Sequence, residues 1–232
     1  MKYAHGFWFP DSETHFIEYL STFPEYQNRP KQVLDIIVTD WNLVIDIGGH
    51  VGTWATWFAK RAKQVYSFEP MLENYECLVK NTESFTNVKL INKAVSKNNE
   101  PIILYAPPVA SNTGTYTVIP TEGWSPVKIA VVKIDNYNLD PTVVKMDIQG
   151  AEYNALLGAK ETIIRSNPII CCEENYDDTV NINQIKEFMD QCGYWKICKI
   201  KEDAIWAHKS KKLTSDEISK LLAIGVRPNQ TP

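Results

Sequence analysis

Residues 43–53 read LVIDIGGHVGT, and residues 65–70 read VYSFEP. The apolar run 43–47 is typical of a buried parallel strand. The glycines after it are expected to let the backbone approach a ligand at the start of a helix. Residues 65–68 predict the next strand, with Glu69 at its tip. A strand, a glycine turn and an acid-tipped strand together predict a ligand pocket at the carboxyl edge of a parallel sheet.

Charge and spacing separate the nucleotide ligands that use such a turn. Counted from Gly48, the dinucleotide pattern GxGxxG requires glycines where His50 and Thr53 stand. Asp46 would also face the pyrophosphate, an unfavourable contact between like charges. S-adenosylmethionine has no phosphate, and its sulfonium and ammonium suit Asp46, while Glu69 can accept hydrogen bonds from both ribose hydroxyls. The sequence therefore favours S-adenosylmethionine over a nicotinamide cofactor; the structural alternative is a turn that only packs a helix on the sheet.

Composition limits the remaining possibilities. A chain of 232 residues predicts one α/β domain with short additions. Its net charge of −4 gives no general attraction for a polyanion, so a nucleic-acid partner is disfavoured. Five cysteines without CxxC spacing argue against a disulfide framework and a zinc site. Without an apolar run of about 18 residues or a secretory leader, we expect a cytoplasmic protein that does not enter a membrane.

Strands and helices alternate along most of the chain, after an N-terminal stretch predicted to be helical. Asp11 or Ser12 is expected to cap a first helix that ends near Leu20, and a second helix is expected at 31–39. Further strands are predicted at 88–91, 143–146 and 168–172, and helices at 53–63, 72–82, 151–166, 183–191 and 214–222. A closing antiparallel pair is predicted at 195–200 and 204–208. Residues 101–134 predict a hairpin-like insertion, with β-rich runs at 102–106, 115–119 and 128–134.

A second motif, VVKMDIQGAE at 143–152, places acids near the same edge of the sheet. Asp147 follows a predicted central strand, where a carboxylate without a partner would be unfavourable, so we expect it near the methionine half of the cofactor. Glu152 begins the next helix, where it either reaches into the cleft or complements the helix dipole.

Several segments carry a family resemblance: VIDIGGHVGTW (44–54), VYSFEP (65–70), INKAVS (91–96), ASNTGT (110–115) and VKMDIQGAEYNALLGA (144–159). Over about residues 42–175 the chain resembles the FkbM family of S-adenosylmethionine-dependent methyltransferases. Gly49 and His50 stand where the family commonly has Ala and Asn, and Gln149 stands where it commonly has Glu. The resemblance implies a class I methyltransferase (Rossmann-like) fold, a mostly parallel seven-stranded sheet with helices on both faces. We assign 1–40 to an N-terminal extension, 41–212 to the methyltransferase domain and 213–232 to a C-terminal helix and tail.

The resemblance also implies roles for individual residues. The expected cofactor contacts are Asp46, Gly48, Gly49, His50, Val51, Gly52, Glu69, Pro70, Asn92, Ala94 and Asp147. The expected substrate contacts are Asn112, Gln149 and Glu152, of which Asn112 is also explained as a turn residue. Asp147 is the first candidate for a general base, followed by Glu174 and His50, and no spacing motif requires a metal.

The implied reaction is O-methylation of a sugar, a glycan or another small molecule. The alternatives are a nitrogen acceptor, an RNA 2′-hydroxyl, or a cofactor-binding module without catalysis. The aromatic residues Tyr3, Phe7, Trp8 and Phe9 suggest a lid over the acceptor. Packing of this arm on the core or on a second subunit explains them equally well, which leaves a homodimer open.

Overall fold

The computed structural model describes residues 1–107, 111–114, 116, 118, 120–174 and 178–230. In chain order the strands are β1 (Lys2–Ala4), β2 (Phe7–Phe9), β3 (Leu43–Ile47), β4 (Gln64–Phe68), β5 (Val88–Ile91), β6 (Ala94–Val95), β7 (Ile102–Ala106), β8 (Ser125–Ile129), β9 (Val131–Val132), β10 (Val143–Met146), β11 (Ile169–Glu173), β12 (Tyr194–Ile200) and β13 (Asp203–His208). The helices are α1 (His15–Thr22), α2 (Asn28–Ile37), α3 (Thr53–Ala59), α4 (Leu72–Thr82), α5 (Glu152–Gly158), α6 (Lys160–Ser166), α7 (Thr179–Gln191) and α8 (Ser215–Ala223), with a 3-10 helix at Ile134–Tyr137.

A seven-stranded sheet forms the centre of the molecule, in the order β12-β13-β11-β10-β3-β4-β5. Its pairs are parallel from β11 to β5, and β13 runs antiparallel to both of its neighbours. This arrangement confirms the predicted class I methyltransferase fold and the closing antiparallel pair. The chain leaves β3 towards β4 on one side and reaches β10 on the other side. Such a switch point opens a crevice at the carboxyl ends of the strands, which is where these sheets bind ligands.

The central strands are apolar because both of their faces are covered by other parts of the chain. Ile45 and Ile47 pack into one buried cluster, and Val44 packs into another on the opposite face. Asp46 interrupts this pattern. Its neighbours in the strand register are Ser67 on β4 and Lys145 on β10, so polar partners surround it within the sheet.

The N-terminal region differs from its prediction. The cap predicted at Asp11 or Ser12 is wrong, because α1 begins after Thr14 and the Glu13 carboxylate accepts a hydrogen bond from Phe16 N at 2.7 Å. The second helix begins at Asn28, three residues earlier than predicted. Pro30 lies in its first turn, where a missing N–H removes no helical hydrogen bond.

The aromatic arm at residues 2–9 is a two-stranded hairpin, β1–β2, that packs on α4. Asn81 on α4 accepts a hydrogen bond from Trp8 N at 2.7 Å and donates one to Trp8 O at 2.8 Å. Phe9 is fully buried against Leu20, Val51 and Cys77. The arm therefore packs on the core, as one of the two alternatives predicted.

Other elements match their predictions closely, except for three helices. Helix α3 ends at Ala59, four residues earlier than predicted. The helix predicted at 151–166 is divided into α5 and α6. At the end of α5, a Cβ at Gly158 would lie 2.0 Å from the Ser96 carbonyl oxygen, so this close approach requires glycine. Helix α7 begins four residues earlier than predicted, at Thr179, where Asp178 accepts a hydrogen bond from Asn181 N.

The insertion contains an antiparallel pair, as predicted, and β7 has the predicted bounds. The run predicted at 128–134 is wrong: β8 begins at Ser125, β9 at Val131–Val132 pairs with β6, and the 3-10 helix begins at Ile134. Part of the run at 115–119 lies outside the described residues.

The cysteines are all free thiols, and Cys171 and Cys172 are buried core residues, as predicted. In the part of the chain that the structure describes, no helix has the length and apolar character needed to cross a membrane.

Candidate active site

A cavity of about 1640 Å³ opens at the carboxyl edge of the central strands. Ligand pockets for one small molecule usually measure roughly 300–1,000 Å³, so this space can hold two ligands together. Two sides of the cavity lie at the ends of different strands, and they are the β4–β5 side and the β10–β11 side. The β4–β5 side contains Glu69 and Ala94, and the β10–β11 side contains Asp147, Glu173 and Asp203.

The glycine turn is needed for packing within the protein. Gly48 has φ +85°, and a Cβ there would lie 2.0 Å from the Asp147 carbonyl oxygen. A Cβ at Gly49 would lie 2.3 Å from the Ser67 hydroxyl. Both backbone N–H groups donate to Phe68 O at 2.9 Å. Both glycines therefore allow close packing against Asp147 and β4, while the backbone of Gly48 remains in the cavity lining, where a ligand can approach it.

Only part of the turn reaches the cavity. Gly48 and His50 line it, whereas Gly49, Val51 and Gly52 lie outside its lining. Gly52 precedes α3 with φ +96°, where its N–H donates to Gly49 O at 2.8 Å. The three residues outside the lining support the turn and present no side chain to a ligand.

Asp46 lies beneath this turn, fully buried, and does not line the cavity. One of its oxygens accepts a hydrogen bond from the Ser67 hydroxyl at 2.8 Å, and the other bonds no group in the described part of the chain. Burial raises the pKa of Asp46, although the Lys145 ammonium and the Ser67 hydroxyl act to lower it. The structure therefore places this carboxylate in a supporting position under the cavity floor.

Glu69 reaches the cavity from the tip of β4. Its two oxygens accept hydrogen bonds from His50 N and Met71 N, each at 2.9 Å. Burial raises its pKa to about 7, against the opposing effect of these two amides. Each carboxylate oxygen keeps a further lone pair for a ligand hydroxyl. Pro70 follows it in the cavity wall.

Only part of the predicted adenine edge lines the cavity. Ala94 lines the cavity together with Lys93 and Val95. Asn92 is outside the lining of this cavity, because its amide donates to Glu69 O at 2.8 Å and to Pro70 O at 3.0 Å. Asn92 thus ties the end of β5 to the end of β4.

The β10–β11 side is built around Asp147. Lys145, buried within the sheet, donates to one of its oxygens at 2.9 Å, and Gln149 donates to the other at 3.3 Å. Burial acts to raise the pKa of Asp147, but Lys145, Gln149 and a hydrogen bond from Glu173 outweigh it and hold the pKa below its usual value. For Glu173 the pKa is raised, first by burial and then by the charge of Asp147. The two carboxyl groups are therefore held in different protonation states.

Glu174, predicted as a catalytic residue, points away from this site. It is buried and forms ion pairs with Lys196 at 2.7 Å and Lys199 at 3.3 Å, outside the cavity lining. Successive residues of a strand face opposite sides. Because Met146 pairs with Cys172 in the strand register, Glu173 is the acid that lies beside Asp147. Glu173 therefore takes the position that was predicted for Glu174, because the strand register decides which of the two adjacent acids faces the cavity.

The predicted substrate residues are also separated. Gln149 lines the cavity and donates to Glu173 at 3.2 Å. Asn112 lines it too, and its side-chain oxygen accepts a hydrogen bond from Gly114 N at 3.0 Å, which is a turn interaction. Glu152 is buried outside the lining, where it accepts hydrogen bonds from Ile148 N at 3.0 Å and Asn181 Nδ2 at 2.8 Å. Its position corrects the prediction that it contacts a substrate.

Aromatic residues of the cavity wall come from a different segment than predicted. Tyr3, Phe7, Trp8 and Phe9 do not line the cavity, so the lid predicted from them is wrong. Phe16, Tyr19 and Tyr26 line it instead, with the Phe16 and Tyr26 ring centroids 4.8 Å apart. Burial, followed by the charge of Asp147, raises the pKa of Tyr26 well above its usual value. The sequence prediction did not include these residues, although their spacing along the first helix and the loop after it could have indicated them.

No cluster of three His, Cys, Asp or Glu side chains suited to a metal ion occurs among the residues that the structure describes.

The sequence matches the methyltransferase FkbM domain over residues 46–195. The structure of methyltransferase FkbM from Methylobacillus flagellatus KT is 16% identical, with a TM-score of 0.55 over 73% of this chain and 44% of that chain. This chain thus spans less than half the length of that protein. SMU.1697c, a putative methyltransferase from Streptococcus mutans in complex with SAH, is 12% identical, with a TM-score of 0.49 over 78% of this chain and 94% of that chain. No curated protein matches the sequence.

The site fits the cofactor that this domain uses. Glu69 presents a fixed carboxylate for ribose hydroxyls, and Ala94 and Val95 give an apolar surface next to it. The reaction class of the domain is methyl transfer, and its cofactor is S-adenosylmethionine. Since the domain match covers more than half of the sequence, the chain belongs to the FkbM family of methyltransferases.

Proposed function

We propose that this domain methylates a hydroxyl group of a sugar, a glycan or another small polar molecule. The observation that carries the proposal is the composition of the β10–β11 side. There the carboxyl groups of Asp147 and Glu173 line the same cavity as Tyr26, which is part of the aromatic wall. Carboxyl groups bind hydroxyls, and aromatic faces pack against the C–H faces of a sugar ring.

The two carboxyl groups offer complementary hydrogen bonds. Asp147, with its lowered pKa, is ionised near neutral pH and accepts them, whereas Glu173, with its raised pKa, keeps a proton that it donates to Asp147 and has lone pairs left to accept from an acceptor hydroxyl. Pairs of acids whose pKa values are moved apart commonly divide acid and base roles in this way. A hydroxyl-rich acceptor satisfies both groups at once.

The bound cofactor supplies an electrophilic methyl group on a positively charged sulfur. The task of the chain is to align the acceptor oxygen, and such alignment can lower a barrier by up to about 7–11 kcal/mol. Asp147 holds the hydroxyl and accepts its proton, a contribution of roughly 100-fold to 10,000-fold. Lys145 fixes the orientation of this carboxylate from below. The aromatic side chains exclude water from the same space.

The test is an acceptor screen with S-adenosylmethionine that carries a labelled methyl group. The panel contains monosaccharides, their deoxy analogues, small amines and an RNA oligomer. We expect label in a product that resists alkali, as an ether does, and loss of transfer when the accepting hydroxyl is replaced by hydrogen. Transfer to amines or RNA alone would contradict the proposal. Tight binding of S-adenosylhomocysteine without turnover on any acceptor would indicate a non-catalytic module.

A pair of variants separates catalysis from folding in the same assay. Asp147→Asn keeps the size of the side chain and removes the base, so we expect kcat to fall about 100-fold or more. Asp216→Asn removes an exposed charge on α8 and serves as the matched control. An unchanged kcat in Asp147→Asn would remove Asp147 from the role of base.

A further inference from the structure

A chain of hydrogen-bonded side chains runs from the N-terminal extension to the glycine turn. Glu13 and Thr113 are both fully buried. The Thr113 hydroxyl donates to Glu13 Oε2 at 2.8 Å, and Thr113 N donates to the same oxygen at 2.7 Å. The Thr113 hydroxyl also lies 2.9 Å from His50 Nε2. Three distant parts of the sequence therefore meet at the His50 ring.

The donors and acceptors in this chain define the state of the imidazole. The Glu13 carboxylate accepts from Phe16 N on Oε1 and from Thr113 on Oε2, so it acts only as an acceptor. A hydroxyl has one hydrogen, and Thr113 gives it to Glu13. The Thr113 oxygen must then accept from His50. His50 consequently carries its hydrogen on Nε2, and Nδ1 holds a free lone pair in the neutral ring.

Nδ1 is available to a ligand. His50 lines the cavity, and no residue in the described part of the chain bonds its Nδ1. Burial lowers the pKa of His50 to about 4, although Glu13 and Asp147 act to raise it, so the ring is neutral near pH 7. The backbone N–H of His50 is bonded to Glu69, while its ring packs on Phe16 with centroids 5.5 Å apart. The ring thus lies towards the aromatic wall of the cavity.

We propose that Glu13 and Thr113 are positioning residues that hold His50 as the neutral Nε2–H tautomer, so that Nδ1 accepts a hydrogen bond from a hydroxyl of the methyl acceptor. This inference rests on the proposed function. It adds a recognition group to the acceptor site that comes from the cofactor-binding turn. It also gives the N-terminal extension a role in the site, through Glu13.

The tautomer is tested by nitrogen-15 NMR of the histidine rings at pH 7. The His50 signals are those that disappear in His50→Asn, a substitution that suits the positive φ of 46° at this position. We expect the Nε2–H form in the wild-type protein. Thr113→Val removes only the bridging hydroxyl, and loss of one hydrogen bond of about 1 kcal/mol should change the tautomer ratio about fivefold.

Thr162→Val is the matched control, because Thr162 is fully buried and its hydroxyl bonds no group in the described residues. We expect no change in the His50 signals of this variant. A wild-type His50 that is charged, or that carries its hydrogen on Nδ1, would overturn the inference. An unchanged tautomer ratio in a folded Thr113→Val variant would also overturn it.

The availability of Nδ1 is tested by diethyl pyrocarbonate, which modifies unprotonated imidazole nitrogens. His15, exposed at the same cavity, is the internal reference in peptide mass spectra. We expect His50 to react within about tenfold of the His15 rate, with or without saturating S-adenosylhomocysteine. No modification of His50, or strong protection by S-adenosylhomocysteine, would contradict an acceptor-facing Nδ1. None of these readouts needs turnover, so they can fail while the proposed hydroxyl methylation stands, or hold while it fails.

Discussion

On the β4–β5 side of the cavity, the central carboxylate of Glu69 is held by two backbone N–H groups from residues close to it in the fold. On the β10–β11 side, Asp147 is held by the side chains of Lys145, Gln149 and Glu173. The first arrangement fixes one carboxylate in one orientation, as suits an invariant cofactor. The second depends on three side chains, two from the same segment as Asp147 and one from β11, so substitutions can alter acceptor recognition and leave the cofactor side unchanged.

The largest loss of stability is expected from Lys145→Met, which removes the cation beneath the β10–β11 side. Lys145 is buried, forms an ion pair with Asp147 at 2.9 Å and neighbours Asp46 in the strand register, so its loss leaves Asp147 without its cation. Breaking a buried ion pair typically lowers the free energy of unfolding by about 3–5 kcal/mol. Urea denaturation measures this loss. The exposed pair of Lys220 with Asp216 is the control, and Lys220→Met should cost less than about 1 kcal/mol. Equal losses in the two variants would contradict the buried pairing.

The next largest loss of stability is expected from a substitution in the glycine turn that joins the two sides of the cavity. Gly48→Ala places a Cβ 2.0 Å from the Asp147 carbonyl oxygen at a positive φ, and we expect a loss of about 2–4 kcal/mol. Gly123→Ala is the matched control, since Gly123 has φ +80° with no atom within 4 Å of the added Cβ. It should lose only about 1–2 kcal/mol, the conformational part. The difference in urea midpoint between the two variants measures the cost of the steric contact at Gly48. Equal midpoints would contradict such a contact.

The raised pKa of Asp203, on the β10–β11 side, predicts that the free energy of unfolding depends on pH. Burial raises its pKa from 3.8 to about 7, against the opposing charge of Lys145. The folded protein therefore holds this proton more tightly than the unfolded chain does. Its stabilising contribution is complete below pH 3.8 and is lost as the pH rises through 7. Relative to the wild type, Asp203→Asn should gain about 1–4 kcal/mol of unfolding free energy between pH 4 and pH 8. A constant difference across this range would contradict the raised pKa.

The smallest effect is expected from Glu173→Gln. Glu173 is protonated near neutral pH, and an amide keeps a donor in the same place. We expect kcat on the acceptor found in the screen to fall less than about tenfold, well short of the loss in Asp147→Asn. A loss as large as that of Asp147→Asn would assign the base role to both acids.

The sequence predicted those parts of the molecule that depend on local pattern. β3 and β10 have the predicted boundaries because a mostly apolar run, interrupted only by Asp46 in β3 and Lys145 in β10, is sufficient to define a buried strand. Asp147 and Glu69 were placed at strand tips for the same reason. Glu174 was chosen wrongly, because the choice between adjacent acids depends on strand register. The contact between Glu13 and Thr113 spans 100 residues of sequence, and no local pattern indicates it.

We expect Glu69 to bind the ribose of S-adenosylmethionine on the β4–β5 side of the cavity. The most direct measurement is calorimetric titration of S-adenosylhomocysteine into the wild-type protein, Glu69→Ala and Glu76→Ala, with NADH as the comparator. Glu76 is exposed on α4 and serves as the matched control. We predict saturable binding that Glu69→Ala weakens at least about tenfold, that Glu76→Ala leaves unchanged, and that NADH does not reproduce. Equal affinity in Glu69→Ala, binding of NADH, or no binding of S-adenosylhomocysteine would contradict the account.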